Sequence, residues 1–393
     1  MAEQRLFTKD FFLIAFARMG SSMVFATFTA TIASFAVNTY GVDSSLAGVA
    51  VGMFILAALV SRVLAGRYME VIGRRRLVLV GGIAFLAATL AYLIPMPFWA
   101  FVVVRALHGI VFGALSNTLN VISICFVPRE RLAEGMGYFS LAATAASAIG
   151  PFVGIWAYQT FSYTLLFVLC SCYAAIGLLL SFFMAIKPVE LTDEQRAEIM
   201  GKFRLRDCFE VTAIPLCLMV TLCDIFYYSV SSFLSLYSIE IGLEEYCSLY
   251  FVVYSVTLFV TRPFTGRLMD RRGEDIVMYP CFVFLVIGYI LLANCQNLPM
   301  LILSSIFLAT GRSTIFCTVQ TMAVRSVPDH RMGVATGTFF AFADTGAGLG
   351  PMIMGSLLPL LGGYANMYTF EAVAAVVLMA YFFVLTRVLG KRP

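Results

Sequence analysis

The stretch GRYMEVIGRRR, Gly66 to Arg76, places four arginines within eleven residues, between two long apolar segments. A second charged stretch, GRLMDRRGEDI, follows at Gly266 to Ile276, two hundred residues later. With the same offset of 200, Val127-Pro128 aligns with Val327-Pro328 without a gap. The chain is therefore interpreted as two related halves, each with a charged stretch at the same place.

The composition excludes a soluble protein. Of 393 residues, 61% are hydrophobic and 12% are charged, whereas a soluble domain carries about 25% charge. Apolar runs of about 20 residues, long enough to cross a bilayer, recur along the chain, and in lipid such runs must be helical because their backbone polar groups need internal partners. We predict twelve spans, at 11–37, 46–65, 77–95, 98–126, 135–157, 164–186, 211–237, 247–266, 277–293, 299–323, 333–361 and 367–388.

The positions of the positive charges predict the orientation. All of the 26 lysines and arginines except Arg18, Arg105 and Arg312 lie in alternate loops, at the helix ends beside them, or at the termini. Positive loops stay in the cytoplasm, so both termini and both charged stretches are predicted to be cytoplasmic. The net charge of +4 thus reflects topology, and no nucleic-acid partner is expected. The absence of an N-x-S/T sequon favours a bacterial plasma (inner) membrane.

Six spans in each half predict an all-α membrane protein of two pseudo-symmetric six-helix bundles in the same orientation. We assign an N-terminal bundle to 1–186, a cytoplasmic linker to 187–210 and a C-terminal bundle to 211–393. Thr192 and Gln195 have the spacing of a capping box, which predicts a short helix in the linker. Parallel halves of this kind build transporters with a binding site near the bilayer midplane.

The chain resembles the major facilitator superfamily over essentially its whole length. Residues 66–75 are similar to the family signature G-x-x-x-D-R-x-G-R-R, with Glu70 in place of Asp and Val71 in place of the basic residue. The second copy keeps Asp270 and Arg271. The fourth span resembles the family element R-x-x-x-G-x-x-x-G, beginning at Arg105.

Two further motifs resemble branches of that family. The fifth span carries Gly137, Ala146, Gly150-Pro151 and Gly154, similar to the motif of the drug:proton antiporter branch. The eleventh span, from Asp344 to Gly350-Pro351, resembles bacterial efflux-type members. Small residues four apart let helices approach closely in lipid, and proline permits a bend. These small residues and prolines have two interpretations. They either serve helix packing alone, or form a flexible helix contact that couples two access states. The resemblance also implies a cytoplasmic latch, and we assign gating to ten residues: Gly66, Glu70, Gly73, Arg74, Asp270, Arg271, Gly150, Pro151, Gly350 and Pro351.

Six ionisable residues fall inside spans, where such groups are costly and usually functional. They are Arg18, Arg105, His108, Asp224, Arg312 and Asp344, and all except Asp344 lie on spans 1, 4, 7 and 10. The family resemblance implies that these four spans line the central cavity. Glu371, near the start of the last span, is expected to be interfacial.

We predict that Asp224, and after it Asp344, carries protons, because removal from water favours a neutral carboxyl. Either aspartate could instead form a static ion pair with Arg312. The surplus of arginine suits an anionic or zwitterionic substrate, since the guanidinium fork matches carboxylate or phosphate. The predicted substrate-binding residues are Arg18, Arg105, His108, Asn117, Asn120, Tyr227, Tyr228, Arg312 and Gln320; the alternative for the neutral ones is hydrogen bonding between helices.

The sequence therefore predicts a monomeric secondary active transporter that works by alternating access and exports a small organic compound in exchange for protons. An importer or uniporter of a small organic acid is the alternative, and a membrane receptor that transports nothing is a remote one. No cofactor or metal is expected, because the ten cysteines and two histidines show no ligand spacing. No enzyme is expected, because H-E-x-x-H and G-x-S-x-G are absent, and the lack of a phosphate-binding loop disfavours an ATP-driven pump.

Overall fold

The computed structural model describes residues 6–42, 44–186, 188–202 and 204–388. The extreme termini and Lys187, the first residue of the predicted linker, lie outside the described residues. Within the described ranges there are thirteen α-helices and no strand. The helices are α1 (Lys9–Tyr40), α2 (Ser44–Ile72), α3 (Arg74–Ala91), α4 (Phe98–Cys125), α5 (Leu132–Thr160), α6 (Tyr163–Phe182), α7 (Asp193–Met200), α8 (Ile214–Glu240), α9 (Cys247–Arg272), α10 (Asp275–Ala293), α11 (Leu298–Arg325), α12 (Met332–Leu361) and α13 (Tyr364–Phe383).

The all-α prediction is confirmed. Twelve long helices fall on the twelve predicted spans, and the short α7 lies in the polar segment between the sixth and seventh spans. Ten helices of the described chain are long and apolar enough to cross a membrane. The other two long helices, α3 and α12, fall short by composition, because α3 begins with three arginines and glycine, threonine and proline dilute the apolar content of α12.

Local sequence explains where several helices begin and end. Thr8 caps α1 by accepting a hydrogen bond from the backbone N–H of Phe11, and Gly41 ends that helix in the left-handed conformation at φ 65°. The predicted capping box of α7 is confirmed, since Thr192 and Gln195 each accept the other's backbone N–H. These contacts satisfy backbone groups that a helix leaves unpaired at its ends.

The chain divides into two compact units. The first comprises residues 1–128, 139–210 and 327–338, and the second comprises 129–138, 211–326 and 339–393. The first therefore holds α1 to α4, most of α5, α6, α7 and the first turns of α12. The second holds α8 to α11, α13, most of α12 and the first turns of α5. The predicted bundle boundaries at 187 and 211 stay a prediction.

The Gly-Pro motifs mark close helix contacts inside each unit. In the first unit, the hydroxyl of Thr27 on α1 donates to the carbonyl oxygen of Gly150 at 3.0 Å. In the second, a Cβ at Gly350 would lie 2.6 Å from the carbonyl oxygen of Ile225 on α8. Pro151 and Pro351 follow inside the same helices. Each motif thus brings α5 against α1, or α12 against α8, at a distance that only glycine allows.

Candidate functional site

A buried ion pair joins α8 to α11 in the second unit. The guanidinium of Arg312 donates from Nε to Oδ1 of Asp224 at 2.8 Å, and its Nη2 lies 2.6 Å from the same oxygen. The side chain of Asp224 is 2% exposed and that of Arg312 is 13% exposed. Removal of one partner from such a pair leaves an uncompensated buried charge, which costs about 3–5 kcal/mol.

Aromatic rings surround the guanidinium of Arg312. Its central carbon lies 4.4 Å from the ring centre of Tyr227, 5.4 Å from that of Tyr228 and 5.3 Å from that of Phe316. Tyr227 in turn stacks on Tyr254 of α9 at 5.0 Å between ring centres. An arginine on aromatic faces is stabilised by the ring quadrupoles. Arg312 is therefore held in place by these rings as well as by the carboxylate of Asp224.

Asp344 lies near this pair on α12. It is half-buried and close enough to interact electrostatically with Asp224 and with Tyr228. The glycine two residues later explains the approach, because a Cβ at Gly346 would lie 3.0 Å from the Cβ of Asp224. Both candidate proton carriers are therefore close to each other and to Tyr228. Of the two, Asp224 holds the ion pair with Arg312.

Arg105 and His108 lie in the aromatic core of the first unit. Arg105 is 2% exposed, its Nε donates to the carbonyl oxygen of Ala50 at 3.1 Å, and its guanidinium lies 4.5 Å from the ring centre of Phe54. His108 is fully buried, with Nδ1 3.1 Å from the hydroxyl of Tyr92 and Nε2 3.5 Å from that of Thr89. These contacts are those of packed helices.

The remaining predicted binding residues are also buried. Arg18 of α1 is 9% exposed, Asn120 of α4 is 4% exposed and Gln320 of α11 is 5% exposed. Asn117 is fully buried, and its Nδ2 lies 3.4 Å from the carbonyl oxygen of Gly333. Asn117 thus forms a hydrogen bond between helices of the first unit, which was the alternative to ligand contact.

The first charged stretch packs against the start of α12 inside the first unit. Arg74 donates to Oε1 of Glu70 from Nε at 2.9 Å and from Nη2 at 2.6 Å, and both side chains are buried. Its Nη2 also donates to the carbonyl oxygen of Asp329 at 3.2 Å. A Cβ at Gly66 would lie 2.6 Å from the carbonyl oxygen of Gly333. Gly73 turns the chain at φ 93°, a conformation that favours glycine.

The second charged stretch binds the start of α5 inside the second unit. The two carboxylate oxygens of Asp270 accept the backbone N–H groups of Ala133 at 3.0 Å and Glu134 at 2.8 Å. Arg325 donates to the same carboxylate at 2.6 Å. A carboxylate at a helix N-terminus is stabilised by the unpaired N–H groups and the helix dipole. Arg271, in contrast, is exposed and forms no ion pair with the described residues.

Comparison with known proteins decides the family. The model of the Major Facilitator Superfamily matches residues 11–337 and, in a second match, residues 216–393. The chain belongs to this superfamily.

Relatives within the superfamily include exporters. The chain is 24% identical over 372 residues to an uncharacterized MFS-type transporter of Methanocaldococcus jannaschii, covering 91% of this chain and 93% of that protein. It is 23% identical over 360 residues to the staphylopine export protein of Staphylococcus aureus, covering 86% and 87%. The fold matches the human organic anion transporter MFSD10 (TETRAN) with a TM-score of 0.73 at 14% identity, over 95% and 98% of the two chains. This superfamily member is thus a multi-pass membrane transporter with efflux-type relatives, and it is not an enzyme.

The linker contacts of this superfamily member were not predicted from its sequence. Arg67 donates to the carbonyl oxygens of Ile199 and Arg204, which lie at and after the end of α7. Arg331 donates to Glu210 at 2.9 Å. Both arginines belong to the repeated motifs, at Gly66-Arg67 and at the start of α12. Their positions in loops that the sequence predicts to be cytoplasmic indicated topology, while their partners depend on where the polar linker folds.

Glu371, which we expected to be interfacial, is buried among the helices of the second unit. Its carboxyl is fully buried, and Oε1 accepts a hydrogen bond from the hydroxyl of Ser229 on α8. The reason is the position of α13, which begins at Tyr364. Glu371 is therefore two turns inside the helix, on the face that packs into the second unit. Its neighbour Tyr250 was also missed, although Tyr250 and Tyr254, four residues apart in the eighth span, predict one polar stripe on α9.

Proposed function

We propose that this transporter exports a small zwitterionic or amphiphilic organic compound in exchange for protons, by alternating access, with Asp224 and Arg312 as its coupling site. The observation that carries the proposal is the buried Asp224–Arg312 ion pair between α8 and α11. The staphylopine export protein, as a relative over most of the chain, supports the outward direction.

The exchange follows from competition for one carboxylate. When the pair opens, the acidic group of a zwitterionic substrate meets the guanidinium of Arg312, and its ammonium group meets Asp224. A proton on Asp224 neutralises the carboxylate and removes that ammonium site, so proton and substrate cannot occupy Asp224 together. Mutually exclusive occupation of one site couples the two fluxes in opposite directions. Asp344, close to the same pair, is the second candidate for the proton.

The alternative, import of a simple organic acid, differs in the direction of the proton movement relative to that of the substrate. A purely anionic substrate would bind Arg312 best when Asp224 is protonated, because the proton frees the guanidinium. Proton and substrate would then bind together and move in the same direction. Arg18, Asn120 and Gln320 are the remaining polar candidates for substrate contact, since Arg105, His108 and Asn117 are held by neighbouring helices.

The proposal is tested first by untargeted metabolite profiling of medium and cytosol. Cells expressing the wild type would be compared with cells expressing Asp224→Asn, and with Glu240→Gln, an exposed carboxyl at the end of the same helix, as the matched control. We expect one compound to accumulate in the medium with the wild type and the control and not with Asp224→Asn. Accumulation in the cytosol would favour import, and equal transport by all three would make Asp224 structural.

Proton coupling is tested in everted membrane vesicles with the compound so identified. An imposed pH gradient, acidic inside, is expected to drive uptake into the vesicles, because this corresponds to export from a cell. An uncoupler is expected to abolish the accumulation. Accumulation that is unchanged by the uncoupler would contradict proton exchange, and equilibration without accumulation would support a uniporter.

The charged stretches are proposed as a cytoplasmic latch in a plasma membrane, with both termini inside. The contacts that support it are Arg74, held by Glu70, with the carbonyl oxygen of Asp329 before α12, and Asp270 with the start of α5. Each stretch binds the first turns of a helix that carries a Gly-Pro motif further along. Movement of α5 or α12 would therefore have to break these charged hydrogen bonds.

A further inference from the structure

Buried polar atoms without a well-formed hydrogen bond are concentrated in one part of the second unit. Among the described residues, the hydroxyl oxygens of Tyr250, Tyr254, Tyr368 and Ser304 and Oε2 of Glu371 are all buried without a well-formed hydrogen bond. Tyr250 lies within reach of Ser304, and Tyr254 lies within reach of Tyr227 and Arg312. Buried polar groups are normally satisfied, and each exception calls for an explanation. Five exceptions on α9, α11 and α13 point to a common purpose.

Glu371 is the acidic centre of this cluster. Three phenol hydroxyls lie within electrostatic range of its carboxyl: those of Tyr250 on α9, Tyr289 on α10 and Tyr368 on its own helix. Ser229 of α8 donates to its Oε1, and Ser304 of α11 lies beside Tyr250. The thiol of Cys223 acts on Tyr289. No lysine, arginine or histidine of the described residues pairs with Glu371.

This environment favours a neutral carboxyl. An isolated ionised carboxylate in an apolar interior costs far more than one hydroxyl hydrogen bond returns. With one serine as donor and no cation, Glu371 lacks what stabilises the charge of Asp224. Asp224 and Glu371 are therefore of opposite kinds, one paired with a guanidinium and one surrounded by phenols.

A row of tyrosines leads from one carboxyl to the other. Arg312 contacts Tyr227, whose ring stacks on Tyr254 at 5.0 Å. Tyr254 and Tyr250 are four residues apart on α9 and share one face, and Tyr250 acts on Glu371. Phenol hydroxyls rotate and can both donate and accept. The hydroxyl of Tyr254, within reach of Tyr227 and Arg312, and that of Tyr250, within reach of Ser304, can thus transfer a proton along the row.

We propose that Glu371 is a second proton-binding site of the transporter, connected with the Asp224–Arg312 pair through the hydroxyls of Tyr254 and Tyr250. The proposal rests on the proposed function in that it adds a site to proton-coupled transport. Its chemistry is transfer of a proton between a carboxyl and phenol hydroxyls, with no other bond formed or broken.

Infrared spectroscopy of the purified protein in lipid nanodiscs, without substrate, tests the site directly. We expect a C=O band of a protonated carboxyl at neutral pH that is lost in Glu371→Gln, shifted in Ser229→Ala and unchanged in the exposed control Glu240→Gln. The Ser229→Ala variant retains the test if Glu371→Gln does not fold. A wild-type band that survives in Glu371→Gln, or a carboxylate band that responds to sodium ions, would overturn the proposal.

Hydrogen–deuterium exchange of the same band tests the path. The variants Tyr250→Phe and Tyr254→Phe are expected to slow exchange about tenfold, as for the loss of one hydrogen bond from the route. Tyr279→Phe is the control, because its hydroxyl is also buried and unpaired but does not act on Glu371. Equal exchange in all variants would rule out the tyrosine row.

The outcomes separate this site from the proposed function. The infrared band does not depend on the substrate or on its direction, so it can be present even if export fails. In proteoliposomes, Glu371→Gln is expected to lower the protons moved per substrate while Asp224→Asn abolishes exchange. An unchanged proton number in Glu371→Gln would exclude a role in coupling.

Discussion

At the scale of the residue, two carboxyls of the second unit show how surroundings decide chemistry. Asp224 faces the guanidinium of Arg312, whereas Glu371 faces a serine and phenol hydroxyls. A buried pair is stable only while both members are present, since the desolvation of each charge is offset by the other. The stability of Asp224 and Arg312 variants should therefore depend on whether one or both are changed.

A double-mutant cycle tests this dependence. Asp224→Asn alone and Arg312→Gln alone are each expected to lower the free energy of unfolding by about 3–5 kcal/mol, because each leaves a buried charge unpaired. The double variant is expected to lose less than the larger single loss. Thermal unfolding of the purified proteins measures all three, and additive losses would show that the charges do not interact.

The conservative variant Arg312→Lys separates charge from shape. Lysine keeps the positive charge but loses the planar fork and the stacking on Tyr227. We expect folding close to the wild type and export at least about tenfold slower, since a loss of about 1.4 kcal/mol in the transition state corresponds to that factor. Transport assays with matched expression levels decide it; a wild-type rate would mean that charge alone suffices.

At the scale of the element, glycines set the distance between helices. Gly346 lies against α8, where an added Cβ would be 2.5 Å from the carbonyl oxygen of Thr221. Gly348, two residues along α12, has nothing within 4 Å of an added Cβ. The same substitution on the same helix should therefore have opposite consequences.

Gly346→Ala is expected to destabilise the protein by about 1–3 kcal/mol, as for overpacked cores, and to reduce transport. Gly348→Ala is the control and should be neutral or slightly stabilising, because alanine favours helix by about 1 kcal/mol over glycine. Unfolding temperature and export rate provide the comparison. Equal effects of the two variants would mean that α12 does not pack on α8 through Gly346.

The contact of Asp270 with α5 gives a second test of an element. Asp270→Asn removes a charged acceptor of the N–H groups of Ala133 and Glu134. Hydrogen bonds to charged groups are worth about 1.5–3 kcal/mol, so hydrogen exchange at the start of α5 should accelerate about tenfold or more. Asp275→Asn, whose partner Arg387 is half-exposed, is the control. Unchanged exchange would contradict a latch at this end of α5.

At the scale of the whole molecule, the repeat and the positive loops predict one topology. The turn between α8 and α9 carries Glu244 and Glu245, whereas Arg271 and Arg272 end α9 beside its turn into α10. Both turns are exposed in the second unit. The positive-inside rule assigns the first to the outside and the second to the cytoplasm.

Cysteine labelling tests this topology. In a background with Cys125, Cys172 and Cys247 replaced by serine, Glu245→Cys is expected to react with an impermeant maleimide on intact cells. Arg272→Cys is expected to react only after the cells are permeabilised. The reverse pattern would invert the orientation and place the charged stretches outside.

The sequence by itself determined the fold of this protein. Twelve apolar runs, tandem motifs 200 residues apart and positive charge in alternate loops follow from rules that act on each segment separately. The ionisable residues inside spans, Asp224 and Arg312 among them, were found in the same way, because charge in lipid is costly wherever it occurs.

Only the tertiary structure decided which of these residues act together. It paired Arg312 with Asp224, enclosed Arg105 among aromatic rings, bound Asp270 to the first turn of α5 and buried Glu371 beside Ser229 and Tyr250. Such partners are far apart in the chain, and their contact depends on the rotation and depth of each helix. Hydropathy constrains neither, because lipid and helix neighbours are equally apolar.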